Sequence, residues 1–257
     1  MKIALIGYGK MGHMIEEIAL SRGHDVVCAI DANNDLKIED LRLKIFSPEE
    51  GFQSEAFRSA DVAIEFTTPG TAETNVRKAW EQGVPVVCGS TGWDVKKLRV
   101  EGLELREVDS RKLIVDKKTG KTMLVWSSNF SVGVNIFFEL NKWLAEKMAE
   151  NSALSRGAEN ELKKGGYTPS ITEIHHIHKL DKPSGTAKTL SNDIMSAFSP
   201  LNDANGVPIE SIREGEVPGT HEVKWDSEED TIIITHIAKG RRGFALGAVL
   251  AAESLKQ

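Results

Sequence analysis

The sequence predicts an α/β protein: a parallel, doubly wound sheet in its first half and a second, α+β domain with an open sheet. Three observations carry that reading. Short apolar runs alternate with helical patterns through the first hundred residues, as a parallel sheet requires. A glycine-rich loop joins the first strand to the first helix. The second half instead shows period-2 strands around a single intervening helix.

In order, apolar runs at 2–6, 26–30, 62–66 and 84–88 read as strands, and periodic stretches at about 11–22, 71–82 and 94–99 read as helices. Gly23 and Gly83 fall just past helix ends, where a left-handed cap is expected. Leu113-Ile114-Val115 and Met123-Leu124-Val125-Trp126 flank Asp116–Lys121 and read as a hairpin. A long helix is expected from Ser131 to Glu150 and a polar loop over Asn151–Gly166. Strands follow at about 170–177, 221–225 and 231–238, with a helix at 185–198. The last element is an apolar helix, Ala245–Leu255.

Gly7-Tyr8-Gly9-Lys10-Met11-Gly12 is G-x-G-x-x-G in the context it needs, after a strand and opening a helix. The glycines permit a tight turn and close approach of a pyrophosphate. Asp31 ends the second strand, nineteen residues after Gly12, where a carboxylate accepts from the adenosine ribose hydroxyls. Strand, loop, helix, second strand and acid in that order define a Rossmann dinucleotide site.

Glu173 through Ala187 carries the other chemistry. Three histidines and a lysine occupy five positions, His175 to Lys179, ahead of a Pro183-Ser184-Gly185-Thr186 turn. Alternation from Ile171 to Leu180 reads as a strand, which puts His175 and Lys179 on one face with Ile177 between. Ser184 fits a helix N-cap, and the N–H groups of Gly185 and Thr186 would make an anion site. A proton donor, a cation and an anion-binding helix start suit a small carboxylate. His175, His176 and His178 as zinc ligands are the weaker reading, since no cysteine lies nearby. His13, His24, His221 and His236 read as structural.

These segments together resemble the 4-hydroxy-tetrahydrodipicolinate reductase (dihydrodipicolinate reductase) family, whose signature is close to E-x-H-H-x-x-K-x-D-x-P-S-G-T-A. Further matches are Glu65-Phe66-Thr67, Gly89-Ser90-Thr91-Gly92, Ser128–Asn135 and Arg242-Gly243-Phe244-Ala245. The resemblance implies a nicotinamide-dependent reductase of diaminopimelate and lysine biosynthesis. In it, hydride passes from the nicotinamide to a cyclic dicarboxylate and a proton comes from the protein. His175 would be the proton donor and Lys179 the second catalytic residue. His176, Lys179, Gly185 and Thr186 would bind substrate carboxylates. Gly89, Ser90, Thr91, Ser127, Ser128, Asn129 and Phe130 would line the nicotinamide half. Residues 1–129 with a returning 239–257 would form the dinucleotide domain. Residues 130–238 would bind substrate and assemble a homotetramer, and the two domains are expected to close over the ligands. The family usually reaches Asn129-Phe130 in fewer residues, so the stretch near 103–121 is expected to be an insertion.

Asp31 without a nearby cation favours NADH, with NADPH possible; the first following cation is Lys37. Net charge is −6 and no basic tract exists, which argues against nucleic acid. No apolar stretch approaches a membrane span. A strand that starts at the N-terminus argues against a signal peptide. Cys28 and Cys88 read as buried reduced thiols, so a cytoplasmic enzyme without a metal is expected. Two other classes fit parts of the pattern. Another Rossmann oxidoreductase acting on an anionic imine or keto acid has no need of all of Glu173–Ala187. A non-catalytic nicotinamide sensor has no need of His175 and Lys179.

Overall fold

The computed structural model describes residues 1–33, 43–98, 100–108, 111–154, 166–197 and 206–255, with 151–154 as backbone. They fall into two compact units, Met1–Ser131 with Arg242–Gln257, and Val132–Arg241.

The first unit is built on strands β1 (Lys2–Ile6), β2 (Asp25–Ile30), β3 (Ile45–Phe46), β4 (Val62–Glu65), β5 (Val86–Cys88), β6 (Leu103–Val108), β7 (Arg111–Asp116) and β8 (Thr122–Ser127). The sheet order is β3-β2-β1-β4-β5-β8-β7-β6. From β3 to β8 every neighbouring pair is parallel, and β7 and β6 continue antiparallel. Parallel strands covered on both faces read as continuous apolar runs; Ile3, Ala4, Leu5 and Ile6 of β1 are all buried. Each such large side chain contributes roughly 1.5–3 kcal/mol of transfer free energy.

Helix α1 (Lys10–Ser21) buries Gly12, Ile15, Ile18 and Ala19, the stripe its 3.6-residue period aligns. Short helices α2 (Pro48–Gly51) and α3 (Glu55–Arg58) start on Ser47 and Ser54, whose hydroxyls accept from Glu50 N–H and Phe57 N–H. Helix α4 (Pro69–Glu81) begins on a proline, whose fixed φ suits the first helical position. The helix expected at 94–99 is one 3₁₀ turn, Val95–Lys97, because Asp94 accepts from Lys96 N–H and the turn is not continued. The expected hairpin is β7–β8.

In the second unit, α5 (Val132–Leu154) and α6 (Gly185–Ala197) cover one face of a four-stranded sheet. Its strands are β9 (Thr168–His175), β10 (Ile209–Arg213), β11 (Thr220–Asp226) and β12 (Thr231–Ile237). Their order is β10-β9-β11-β12. Ile171, Val223 and Trp225 meet Phe137, Phe138, Leu190 and Ile194 in its core. The opposite face presents Thr172, Glu222, Thr235, Ile233 and Ile237; the two isoleucines are 51% and 66% exposed. The loop expected from Asn151 is helical to Leu154, and 155–165 lie outside the described residues. The final helix α7 (Arg242–Ser254) belongs to the first unit, where Ala245, Ala248, Val249 and Ala252 share a core with Ile15, Ile18 and Ala19.

Candidate active site

In the first unit, the predicted cofactor residues gather at the carboxyl ends of adjacent parallel strands, where ligands of such sheets bind. Gly7–Gly12 follow β1, Asp31 follows β2, Gly89–Thr91 follow β5 and Ser127–Phe130 follow β8. Gly7 has φ +94°, and a Cβ there would run into the Phe66 carbonyl, while a Cβ at Gly9 would meet nothing within 4 Å. The loop is therefore pressed against β4 on one side and open on the other, as close approach of a phosphate requires. Asp31 accepts the Tyr8 N–H through Oδ2 at 2.6 Å and the Asn33 N–H through Oδ1 at 2.8 Å. The Tyr8 ring is buried and its hydroxyl bonds Glu16. Burial and that carboxylate push the Tyr8 phenol well above its usual range. Lys10 is exposed and Met11 half-buried at the start of α1.

Hydrogen bonds tie the β4, β5 and β8 ends together. Thr67 N–H donates to Ser90 Oγ at 2.9 Å, and the indoles of Trp93 and Trp126 donate to Ser90 O at 2.8 and 2.9 Å. Buried Glu65 accepts from Thr67 N–H at 3.1 Å and from Cys88 Sγ at 2.9 Å. Burial, with Glu65 beside it, holds the Cys88 thiol well above its ordinary value. Ser127 Oγ accepts from Asn129 N–H at 3.1 Å and Asn129 Oδ1 accepts from Ser131 N–H at 2.9 Å, which seats the Phe130 ring in the core. Ser128 and Thr91 are exposed.

In the second unit, β9 ends at His175, and Lys179 N–H bonds His176 O at 3.1 Å. The expected strand to Leu180 is thus corrected: residues 176–179 form a turn. Ile177 and Leu180 are 61% and 95% exposed; three positions apart, they would fall on opposite faces of a strand and define no buried one. His175 stays in the β9 ladder, the turn takes His176 out of it, and Lys179 comes back toward β10. Its ammonium pairs with Asp181 at 2.8 Å, and Arg213 Nε donates to Lys179 O at 3.2 Å. Burial raises the Asp181 carboxyl, but Lys179 outweighs it and holds it below its usual value.

Ser184 caps α6 as predicted. Its Oγ accepts from Ala187 N–H at 3.2 Å and its carbonyl from Lys188 N–H at 3.0 Å. Gly185 opens the helix, and a Cβ there would meet nothing within 4 Å; Thr186 follows in the first turn.

Beneath these groups lies a buried polar cluster. Glu173 Oε1 accepts from Ser184 N–H at 3.0 Å, Ser211 Oγ at 2.7 Å and Arg213 Nη2 at 3.0 Å. Its Oε2 is 3.6 Å from His175 Nδ1 and 3.8 Å from His221 Nε2. Burial pushes Glu173 up, and the bonds from Ser184, Ser211 and Arg213 outweigh it, bringing the carboxyl down to about 2. His175 is lowered by burial, against the opposing attraction of Glu173. His221, buried beside it with ring centroids 4.9 Å apart, is lowered by burial and by His175 to about 4.

The sequence reading missed His221, Arg213 and Ser211. His221 carried a signal, because alternation along 221–225 puts it on the buried face with Val223 and Trp225. Arg213 and Ser211 sit on β10, which was not predicted. Glu173, His175 and His221 bring donor atoms within 4.8 Å of one another. Because the Arg213 guanidinium already pairs with that carboxylate, the cluster is a hydrogen-bonded charge network, and we assign it no metal.

A glycine-loop nucleotide fold and a second sheet domain carrying a histidine–lysine turn define a Rossmann oxidoreductase of the two-domain kind. The family model described as "Dihydrodipicolinate reductase, N-terminus" matches residues 1–130, and "Dihydrodipicolinate reductase, C-terminus" matches residues 133–257. A 4-hydroxy-tetrahydrodipicolinate reductase of Christiangramia forsetii is 41% identical over 100% of this chain and 92% of its own. One of Archaeoglobus fulgidus is 34% identical over 98% and 93%. A dipicolinate-bound dihydrodipicolinate reductase from Paenisporosarcina sp. TG-14 shares the fold with a TM-score of 0.64 at 20% identity, over 99% of this chain and 94% of that one. The chain belongs to the dihydrodipicolinate reductase family, and it is an enzyme of the oxidoreductase class.

Proposed function

We propose that this chain reduces 4-hydroxy-tetrahydrodipicolinate to tetrahydrodipicolinate in diaminopimelate and lysine biosynthesis, preferring NADH, with the residues of Glu173–Ala187 acting on the substrate and the glycine loop holding the cofactor. The observation that carries the reading is the turn 176–179, which brings a half-buried lysine to the end of a strand that finishes on a buried histidine, two residues after the Glu173 carboxylate that holds the Ser184 N–H at the start of α6.

The fit of the glycine loop to a dinucleotide rests on Gly7, pressed against Phe66, and on the open face at Gly9. Asp31 holds the adenosine ribose, and Gly89–Thr91 with Ser127–Phe130 line the nicotinamide half. When bound, the reduced nicotinamide supplies the hydride. His175 supplies the accompanying proton, and the substrate hydroxyl leaves as water. Histidine suits this task because its pKa lies near working pH. Lys179 leaves Asp181 for a substrate carboxylate, the stronger partner when desolvated. His176 and the N–H groups of Gly185 and Thr186 hold the carboxylates, assisted by the positive end of α6.

We further place residues 1–129 with 239–257 as the dinucleotide domain and 130–238 as the substrate and assembly domain. The uncovered sheet face with Ile233 and Ile237 supports a homotetramer, since such a face gains from pairing with copies of itself. Among the described residues no helix is long and apolar enough to cross a membrane. Cys28 and Cys88 are buried free thiols, which supports a reducing, cytoplasmic setting. The test is oxidation of NADH followed at its absorbance band with enzymatically generated substrate. Absence of substrate-dependent oxidation by folded protein, with either cofactor, overturns the reading.

A further inference from the structure

Glu173 is fully buried, and one of its oxygens accepts from three donors. Its two oxygens face different ways. Oε1 takes Ser184 N–H, Ser211 Oγ and Arg213 Nη2. Oε2 receives a second contact from Ser184 N–H at 3.1 Å and otherwise faces His175 Nδ1 at 3.6 Å and His221 Nε2 at 3.8 Å. The His175 nitrogen is buried and has no hydrogen-bond partner. On the far side of the ring, a Cβ at Gly219 would lie 3.2 Å from Nε2, so glycine there leaves the outer nitrogen room.

We propose that Glu173 is a positioning residue serving two parts of the site at once: one carboxylate fixes the start of α6 and steadies the protonated ring of His175, and Arg213 sets how much of its charge reaches that ring. The proposal rests on the reading that His175 donates the proton. Ser184 directly precedes Gly185 and Thr186, so the clamp on its N–H sets where the anion-binding turn begins. The same group lies against the inner face of His175, so donor and substrate anchor share one support. Arg213 is 8% exposed. It pairs with Glu173 while its Nε and Nη2 also donate to Lys179 O and Asp181 O, which fastens the Lys179 turn to β10.

The charged and titratable groups facing His175 are Glu173 on its own strand, Lys179 and Asp181 on the turn, Arg213 on β10 and His221 on β11, with His236 behind His221 on β12. His221 stays neutral: Ser184 Oγ already accepts from Ala187 N–H, so its hydroxyl proton is free to donate to His221 Nε2 at 3.2 Å. The ring's charge balance is therefore set chiefly by Glu173 and Asp181 against Lys179 and Arg213.

Removing one sign or the other must move His175 in opposite directions. Glu173→Gln is expected to lower its pKa by about one unit and Arg213→Gln to raise it by a similar amount. Both values come from NMR titration of ring-labelled histidine in the full chain without substrate. The alkaline limb of kcat should follow, moving to lower pH in Glu173→Gln and higher pH in Arg213→Gln. Glu173→Gln should also weaken binding of pyridine-2,6-dicarboxylate. Losses of activity at every pH with the His175 titration unmoved overturn the proposal, as do shifts of one sign in both variants. If Glu173→Gln does not fold, Arg213→Gln decides alone: an upward shift supports the proposal and none overturns it. The titration needs no turnover, so it is independent of His175 as donor; that reading fails separately if His175→Gln keeps full activity.

Discussion

His221 lies directly across the strand pair from Glu173, and its Nε2 sits 3.2 Å from the hydroxyl of Ser184. A histidine so placed is held neutral, and burial with His175 beside it keeps its pKa near 4. The unfolded chain binds the proton near pH 6.5, so between pH 6.5 and 4 it carries more protons than the folded chain. Stability therefore rises with pH in that window and is lost as pH falls. On the order of 3 kcal/mol is at stake from this group. Replacement His221→Gln should flatten urea-unfolding free energy against pH between 6.5 and 4. The lowered pKa of Glu173 acts in a separate window, below about 4.5, and should persist in that variant. An unchanged slope between pH 6.5 and 4 would show that His221 is not held neutral.

His175→Gln removes the proposed proton donor and keeps a side chain of similar length. Turnover should fall roughly 10²–10⁴-fold, with modest change in substrate KM, as for lost general acid catalysis. The measurement is steady-state kinetics with NADH at fixed pH. Turnover like that of the unmodified protein would take His175 out of the chemistry.

Thr186 sits in the first turn of α6 behind Ser184. Its hydroxyl donates to a substrate carboxylate in our reading, while the backbone anion site survives its loss. Thr186→Ala should weaken pyridine-2,6-dicarboxylate by about 1 kcal/mol, a factor of about five. Calorimetry on the folded variant reads this directly, and unaltered affinity removes the hydroxyl from the site.

The first unit was legible because its signals are local. Gly7–Gly12 follows a five-residue apolar strand, and each loop of the proposed nucleotide site follows its own strand in sequence. The second unit hid its support because partners arrive by pairing between distant strands. Arg213 reaches Glu173 across forty positions, and His221 across the β9–β11 pair. The strand expected over 176–180 does not form because its apolar residues are spaced by three: Ile177 and Leu180 would fall on opposite faces of a strand, and both stay in solvent. β6 escaped notice for the converse reason. Its charged Glu104, Arg106 and Glu107 lie exposed on an edge hairpin, where no apolar face is needed. The segment expected as an insertion near 103–121 is this β6–β7 hairpin, which extends the sheet antiparallel beyond β8.

Cofactor choice is expected to turn on Asp31. Two backbone N–H groups, from Tyr8 and Asn33, hold one oxygen each. Each oxygen keeps a further lone pair for a ribose hydroxyl, so the carboxylate is fixed and still able to accept from NADH. The 2′-phosphate of NADPH would instead meet a fixed negative charge. Asn34, Asp35 and Lys37 lie outside the described residues. The next described cation, Lys44, rests over the Phe46 ring at 4.6 Å, and Phe46 O accepts the Asp31 N–H at 3.1 Å. Lys44 directly precedes β3, and its ammonium is directed to an aromatic face. NADH should therefore be preferred, with NADPH still used because the Asp31 residue is only half-buried and repulsion there is screened. Raising salt should narrow the gap from the NADPH side. Asp31→Ala should narrow it further, by about tenfold in the ratio of kcat/KM values, since it removes an attraction for one cofactor and a repulsion for the other. The comparison is kcat/KM for both cofactors at low and moderate salt, in the unmodified chain and the variant. A clear NADPH preference in the unmodified chain would mean that a cation overrides Asp31, and Lys44→Gln would then test whether it is the one at the start of β3.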